Sequence, residues 1–138
     1  MADLIGAVVA LLKADAGVAA IVGERVFGGE LPPEETPHMP RAAIVVSGSG
    51  GASLTGGSYA ETDTRRLDFT SYGATPREAD ALGSTAALAM LRLRRTVSAG
   101  VLIHWAKSAG GPIGGRDRDL AWPRAWQPFQ FLHALTEI

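Results

Sequence analysis

A chain of 138 residues and 14.4 kDa, 46% hydrophobic and 20% charged, is long enough for one continuous core and too apolar to be disordered throughout. Its net charge of −1 offers no basic field to hold a polyanion, so general nucleic-acid binding is not expected. With no cysteine, disulfides and thiolate-held zinc or iron–sulfur sites are excluded.

Asp3 precedes Leu4, Ile5, Val8, Leu11 and Leu12, an apolar stripe at helical spacing with an acidic N-cap. An acidic residue in front of a short apolar run is not a secretory leader, and nothing in the chain approaches membrane-spanning length. The reading is a cytoplasm-like compartment and no membrane partner. Gly17 offers that helix a left-handed exit, and residues 18–22 read as a short second turn of helix closed by Gly23. Arg25 to Phe27 fit a short strand. Residues 28–40 hold Pro32, Pro33, Pro37 and Pro40 with Glu30, Glu34 and Glu35, which predicts a stiff, exposed, acidic connection.

Residues 42–47 are β-branched and apolar, a strand covered on at least one face. Residues 48–58 have few core-forming side chains, and Gly48, Gly50, Gly51, Leu54, Gly56 and Gly57 mark an expected flexible hairpin tip. Strand character resumes over 61–72, where Leu67 and Phe69 alternate with Arg66, Asp68 and Thr70, completing a long hairpin. Thr75-Pro76-Arg77-Glu78 is a capping box with proline at the first helical position. Ala79, Leu82, Ala86, Met90 and Leu93 follow at three- and four-residue steps, so a helix is predicted to Arg95, with Arg92, Arg94 and Arg95 in its last turn complementing the dipole. Gly100 is read as its stop, and residues 101–105 as a strand. Residues 110–119 read as a second flexible, charged loop. The closing strand over 126–135 puts Phe129, Phe131, His133 and Leu135 on one face. The fold class is α+β: one domain over residues 1–138, with a small, mainly antiparallel sheet, a long hairpin and two helices on one face.

No catalytic constellation emerges. His38, His104 and His133 each stand alone, so neither a metal nor a cofactor is predicted. The glycines after residue 47 lack the following helix and the Lys-Ser/Thr pair of a phosphate loop. No G-x-S-x-G elbow occurs. What remains suits contacts with proteins. The Arg116-Asp117-Arg118-Asp119 run is either a solvated loop or a charge-complementary contact. Trp122 and Trp126 are either core residues or interface anchors. Glu30, Glu34 and Glu35 on one side, and Arg92, Arg94 and Arg95 on the other, make two patches of opposite charge.

Several stretches, taken in order, resemble the tail-completion or tail-terminator proteins of tailed phages and phage-like particles, gene transfer agents included. They are the opening helix running into Leu12-Lys-Ala-Asp15-Ala-Gly-Val18, then Ile21-Val-Gly23-Glu-Arg25-Val-Phe27, and Pro37-His-Met-Pro40 before the strand at 42–47. The long hairpin, the helix opening with Glu78-Ala79-Asp80-Ala81 and the aromatic last strand complete the likeness, which spans nearly the whole chain. The resemblance implies a closed ring, usually of about six copies, in which two different patches of each subunit meet. It implies that the ring caps a finished tail tube at the head–tail joint. Its partners would be the tube protein and a head connector or neck protein, with DNA passing through the lumen without sequence-specific binding. A head-closure or other neck protein is the alternative within this class. A small enzyme or ligand-binding domain using the cleft between hairpin and helix is the alternative outside it, favoured by a bound metabolite or by activity lost on changing Asp68 or His104.

Overall fold

Local chemistry starts each helix. In the computed structural model, which describes residues 2–49 and 61–136, Asp3 accepts the Gly6 N–H at 3.0 Å and opens α1 (Leu4–Ala14). The expected exit at Gly17 is not used. Asp15 ends α1 in an extended conformation, its N–H bonded to the Leu11 and Leu12 carbonyls, and its carboxylate caps α2 (Ala16–Val22) by accepting the Val18 N–H at 3.0 Å. One aspartate both stops a helix and starts the next, so Gly17 lies inside α2. Gly23, at φ 60°, closes α2 as the sequence indicates.

The capping box opens α3 (Pro76–Leu91): Thr75 Oγ1 accepts the Glu78 N–H at 3.2 Å, and Glu78 Oε2 reaches back to the Ala74 N–H at 3.1 Å. Ala79, Leu82, Ala86 and Met90 are its buried stripe. The helix ends four residues before Arg95. Arg92 is its C-cap, with its N–H on the Leu88 carbonyl, so the expected last-turn arginines lie at and beyond the helix end. The reason is β4 (Thr96–Ser98), a strand the sequence reading missed. Gly100 belongs to its turn rather than to α3: Ala99 (φ 48°) and Gly100 (φ 80°) make a two-residue hairpin connection that pairs Ser98 with Val101.

The remaining strands are β1 (Val26–Gly28), β2 (Ala43–Gly48), β3 (Thr62–Tyr72), β5 (Val101–Ser108), β6 (Ile113–Arg116) and β7 (Pro123–Ala134). They form one sheet in the order β1-β2-β3-β7-β5-β4, with β6 beside β7 on the same flank as β5. Only β1 and β2 run parallel, so the sheet is mixed and mainly antiparallel, and the fold is α+β. β2 and β3 are the predicted hairpin. Of the tip proposed between them, Gly48 is the last residue of β2, while Gly50, Gly51, Leu54, Gly56 and Gly57 lie outside the described residues. Residues 110–119 are not a free loop, because β6 occupies their middle.

Ile44, Val46, Leu67, Phe69, Ile103, Phe129 and Phe131 alternate onto one face and share a core with Leu4, Val8, Leu12, Val18 and Val22 of α1 and α2 and with Leu82 and Met90 of α3. Three helices, not two, therefore cover that face. Phe69 lies 4.9 Å from Phe129 and 6.3 Å from Phe131, ring centre to ring centre. No single helix among the described residues is long and apolar enough to cross a membrane.

Candidate assembly surfaces

The charged patches nominated by sequence reach the surface, but the residues within them divide into free and engaged. In the acidic connection, Glu30 and Glu34 are exposed, whereas Glu35 is turned inward. Arg41 Nε donates to Glu35 Oε1 at 2.6 Å, and that charged hydrogen bond holds the Glu35 carboxyl below its ordinary pKa. A 3₁₀ turn at Thr36–His38 stiffens the same segment. Arg92, Arg94 and Arg95 are all exposed after α3, with Arg94 Nη1 donating to the Arg92 carbonyl at 3.3 Å. They border a shallow depression of about 460 Å³ with Leu11, Asp15 and Leu93. Among the described residues no ion pair joins the acidic and basic patches within one subunit.

The Arg116–Asp119 run is built rather than loose. Arg116 ends β6 and its Nη1 donates to the Ala121 carbonyl at 3.0 Å. Asp117 Oδ1 accepts the N–H groups of Leu120 (3.0 Å) and Asp119 (2.9 Å), and these bonds lower its pKa. Arg118 and Asp119 are left exposed at the turn. Trp122 is half-buried edge-on to Tyr72, with 6.0 Å between ring centres. Burial, assisted by the Asp117 charge, pushes the Tyr72 phenol pKa up. Trp126, also half-buried, pairs with Thr70 on β3 and Ile113 on β6. Both tryptophans are thus neither core nor free.

A groove of about 390 Å³ opens between α3 and the sheet, where the ligand-binding alternative places its cleft between hairpin and helix. Its floor is Phe69, Ala125 and Phe129, one wall is Leu88 and Leu91, and Pro112 stands on the other side. Leu88 and Leu91 are 45% and 57% exposed, which is unusual for two leucines one turn apart. Their position off the stripe of Ala79, Leu82, Ala86 and Met90 was the available signal. Among the described residues, Asp80 is the groove's single ionisable lining residue. Asp68 and His104 are not part of it, although Asp68 Oδ1 and His104 Nε2 are buried without a hydrogen-bond partner. Among the described residues no group of three His, Asp or Glu side chains is placed to hold a metal ion.

The fold is shared with known solved structures. A chain in the virion of a native gene transfer agent particle superposes with a TM-score of 0.68 at 19% identity, covering 95% of this chain and 94% of that one. The gp17 protein of bacteriophage SPP1 superposes with a TM-score of 0.53 at 17% identity, covering 91% of this chain and 84% of that one. No protein-family model matches the sequence, and no curated protein does.

Proposed function

We propose that the chain is a non-enzymatic structural protein of a phage-like virion. It closes the end of a tail tube as a ring of its own copies, stopping tube growth and meeting the head connector. The observation that carries the reading is the shared fold, over almost the full length of both chains, with a component of a gene transfer agent virion. The surfaces agree with it. Exposed cations at Arg92, Arg94 and Arg95 and exposed acids at Glu30 and Glu34 give each subunit two unlike patches, the requirement for a heterologous ring. Among the described residues the groove lines up Asp80 with no second ionisable group beside it, so it lacks a paired acid and base. DNA would pass through the lumen without being read.

Particles assembled without this chain test the reading. Overlong tubes lacking heads are the expected result. Tails of normal length without heads would instead assign the chain to the head-closure side of the joint. Complete, infective or transfer-competent particles would overturn both roles.

A further inference from the structure

The two flanks of the sheet are unlike, and they match each other. On one flank β6 is exposed at all four residues, with Ile113 60% exposed. It is a short strand carrying one charge, Arg116, and among the described strands it pairs with β7 alone, which leaves its other edge open. The Asp117 N–H donates to the Trp122 carbonyl at 2.7 Å, one step beyond the Arg116–Pro123 pair. Antiparallel alternation then makes Gly115 and Ile113 the residues bonded to β7, and turns the main-chain groups of Gly114 and Arg116 toward the free edge. Proline at position 123, which has no N–H to give β6, fits that pattern.

On the other flank, β1 bonds to β2 through the Arg25 carbonyl, which accepts from Ile44 at 3.0 Å, and the Gly29 N–H, which donates to Val46 at 2.7 Å. Val26 and Gly28 therefore face outward with their main chain. The Val26 N–H is taken by the Glu24 carbonyl at 2.9 Å, leaving the Val26 carbonyl and both groups of Gly28. Strand directions across the sheet make β6 and β1 antiparallel. A second copy placed beside the first by a simple rotation, helices on the same face, thus brings its β1 antiparallel to β6. Gly114 and Arg116 lie on the helix-covered face, opposite Ala125 and Pro123. Val26 and Gly28 lie on that face too, opposite Ile44 and Val46.

We infer that β6 of one copy pairs with β1 of a second copy, Gly114 opposite the second copy's Gly28 and Arg116 opposite its Val26, extending one sheet across the subunit boundary. The inference rests on the ring proposed above and names its contact. The helix layer closes with the sheet. At Gly28 an added Cβ would meet Ile5 at 2.9 Å and Val9 at 3.6 Å, so α1 sits directly over the β1 edge. At Gly114 an added Cβ would meet nothing within 4 Å, and the open groove adjoins it. Joining the edges carries Ile5 and Val9 of the second copy toward Leu88 and Leu91.

The chain has no cysteine, so introduced ones report the contact without background. Pro112 precedes β6 and the second copy's Glu30 follows β1 just past the paired residues, so the contact brings them close, and both are exposed. Under mild oxidation the full-length Pro112→Cys plus Glu30→Cys double variant should give a ladder of cross-linked oligomers. Each single variant alone should not, while a mixture of the two singles should give dimers. Gly114→Pro, which deletes an outward N–H and leaves the bonds to β7, should lower cross-linking about tenfold, the worth of one main-chain hydrogen bond with its partner left unpaired. Gly114→Ala keeps the N–H and serves as the control, and equal melting temperatures show that both variants fold. No ladder, or a ladder indifferent to Gly114→Pro, overturns the contact. If the same particles still carry a ring at the tail end, the contact fails and the ring stands; if unmodified protein forms no ring on particles, the ring reading fails as well.

Discussion

Ser98 donates its buried hydroxyl to the carbonyl of Ala7 at 2.8 Å, linking β4 to the middle of α1 across the length of the chain. β4 is only three residues long and cannot hold its place by ladder bonds alone. This bond and the exposed Val97 beside it define a strand that depends on the helix packed over it. Ser98→Ala should therefore cost about 1 kcal/mol, the usual net worth of a neutral hydrogen bond. Urea unfolding curves with equal slopes and a shifted midpoint would measure it. An unchanged midpoint would mean that β4 is held otherwise.

Ala99, one residue on, sits at φ 48°, a left-handed conformation that costs a non-glycine residue about 1–2 kcal/mol. Ala99→Gly relieves that strain while adding chain entropy to the unfolded state. The net should be a stabilisation of roughly 0.5–1 kcal/mol. Thermal melts of the single variant decide it, and a lower melting temperature would refute the turn geometry.

This hairpin also shows what sequence could and could not carry. The capping box at Thr75, the cap at Asp3 and the alternation through Leu67 and Phe69 are local signals, and the structure uses each where expected. β4 and β6 are not locally encoded. Thr96–Ser98 is too short to display a period, and Ile113–Arg116 has two glycines in four residues. Both exist because long neighbours, β5 and β7, supply the ladder, so tertiary pairing overrides weak propensity. For the same reason the cleft between hairpin and helix was legible as a place but not in its lining: only the placement of Pro112 and Phe129 makes a cavity beside Leu88 and Leu91. Glu35 is the converse case, an acid in an exposed-looking segment that the fold engages through Arg41.

Glu35 is held below its ordinary pKa by the Arg41 hydrogen bond, and Asp117 by the Leu120 and Asp119 N–H groups. For a depressed acid the stabilisation is complete above the unfolded-state pKa and is lost as pH falls through the folded value. Stability should therefore decline below the ordinary carboxylate range of about 4. Asp117→Asn retains an acceptor for the turn but cannot titrate, so its acid loss should be shallower than that of the unmodified protein. At the alkaline end the sign reverses. Tyr72, raised by burial, contributes stability that is present below the unfolded pKa and is lost as pH rises through the folded one. Unfolding midpoints across a pH series would show both limbs. An Asp117→Asn curve parallel to that of the unmodified protein would remove Asp117 from the acid limb.

Arg92, Arg94 and Arg95 are exposed, and none forms an ion pair with a described residue of its own subunit. Exposed charges contribute little to a fold, so reversing all three to Glu should leave the melting temperature close to that of the unmodified protein. In the proposed ring their value lies in steering an acidic surface of another subunit or of the tube into place. The individual contact is small, and closure on an existing tube end makes many such contacts act together through effective concentration. Removing the steering charge from every copy is therefore amplified around the ring, and assembly should fail although each subunit folds. Particles made with the triple variant should show overlong tubes without heads by electron microscopy. Normal tails joined to heads would take this helix end out of the interface and leave the sheet edges as the remaining candidates for contact.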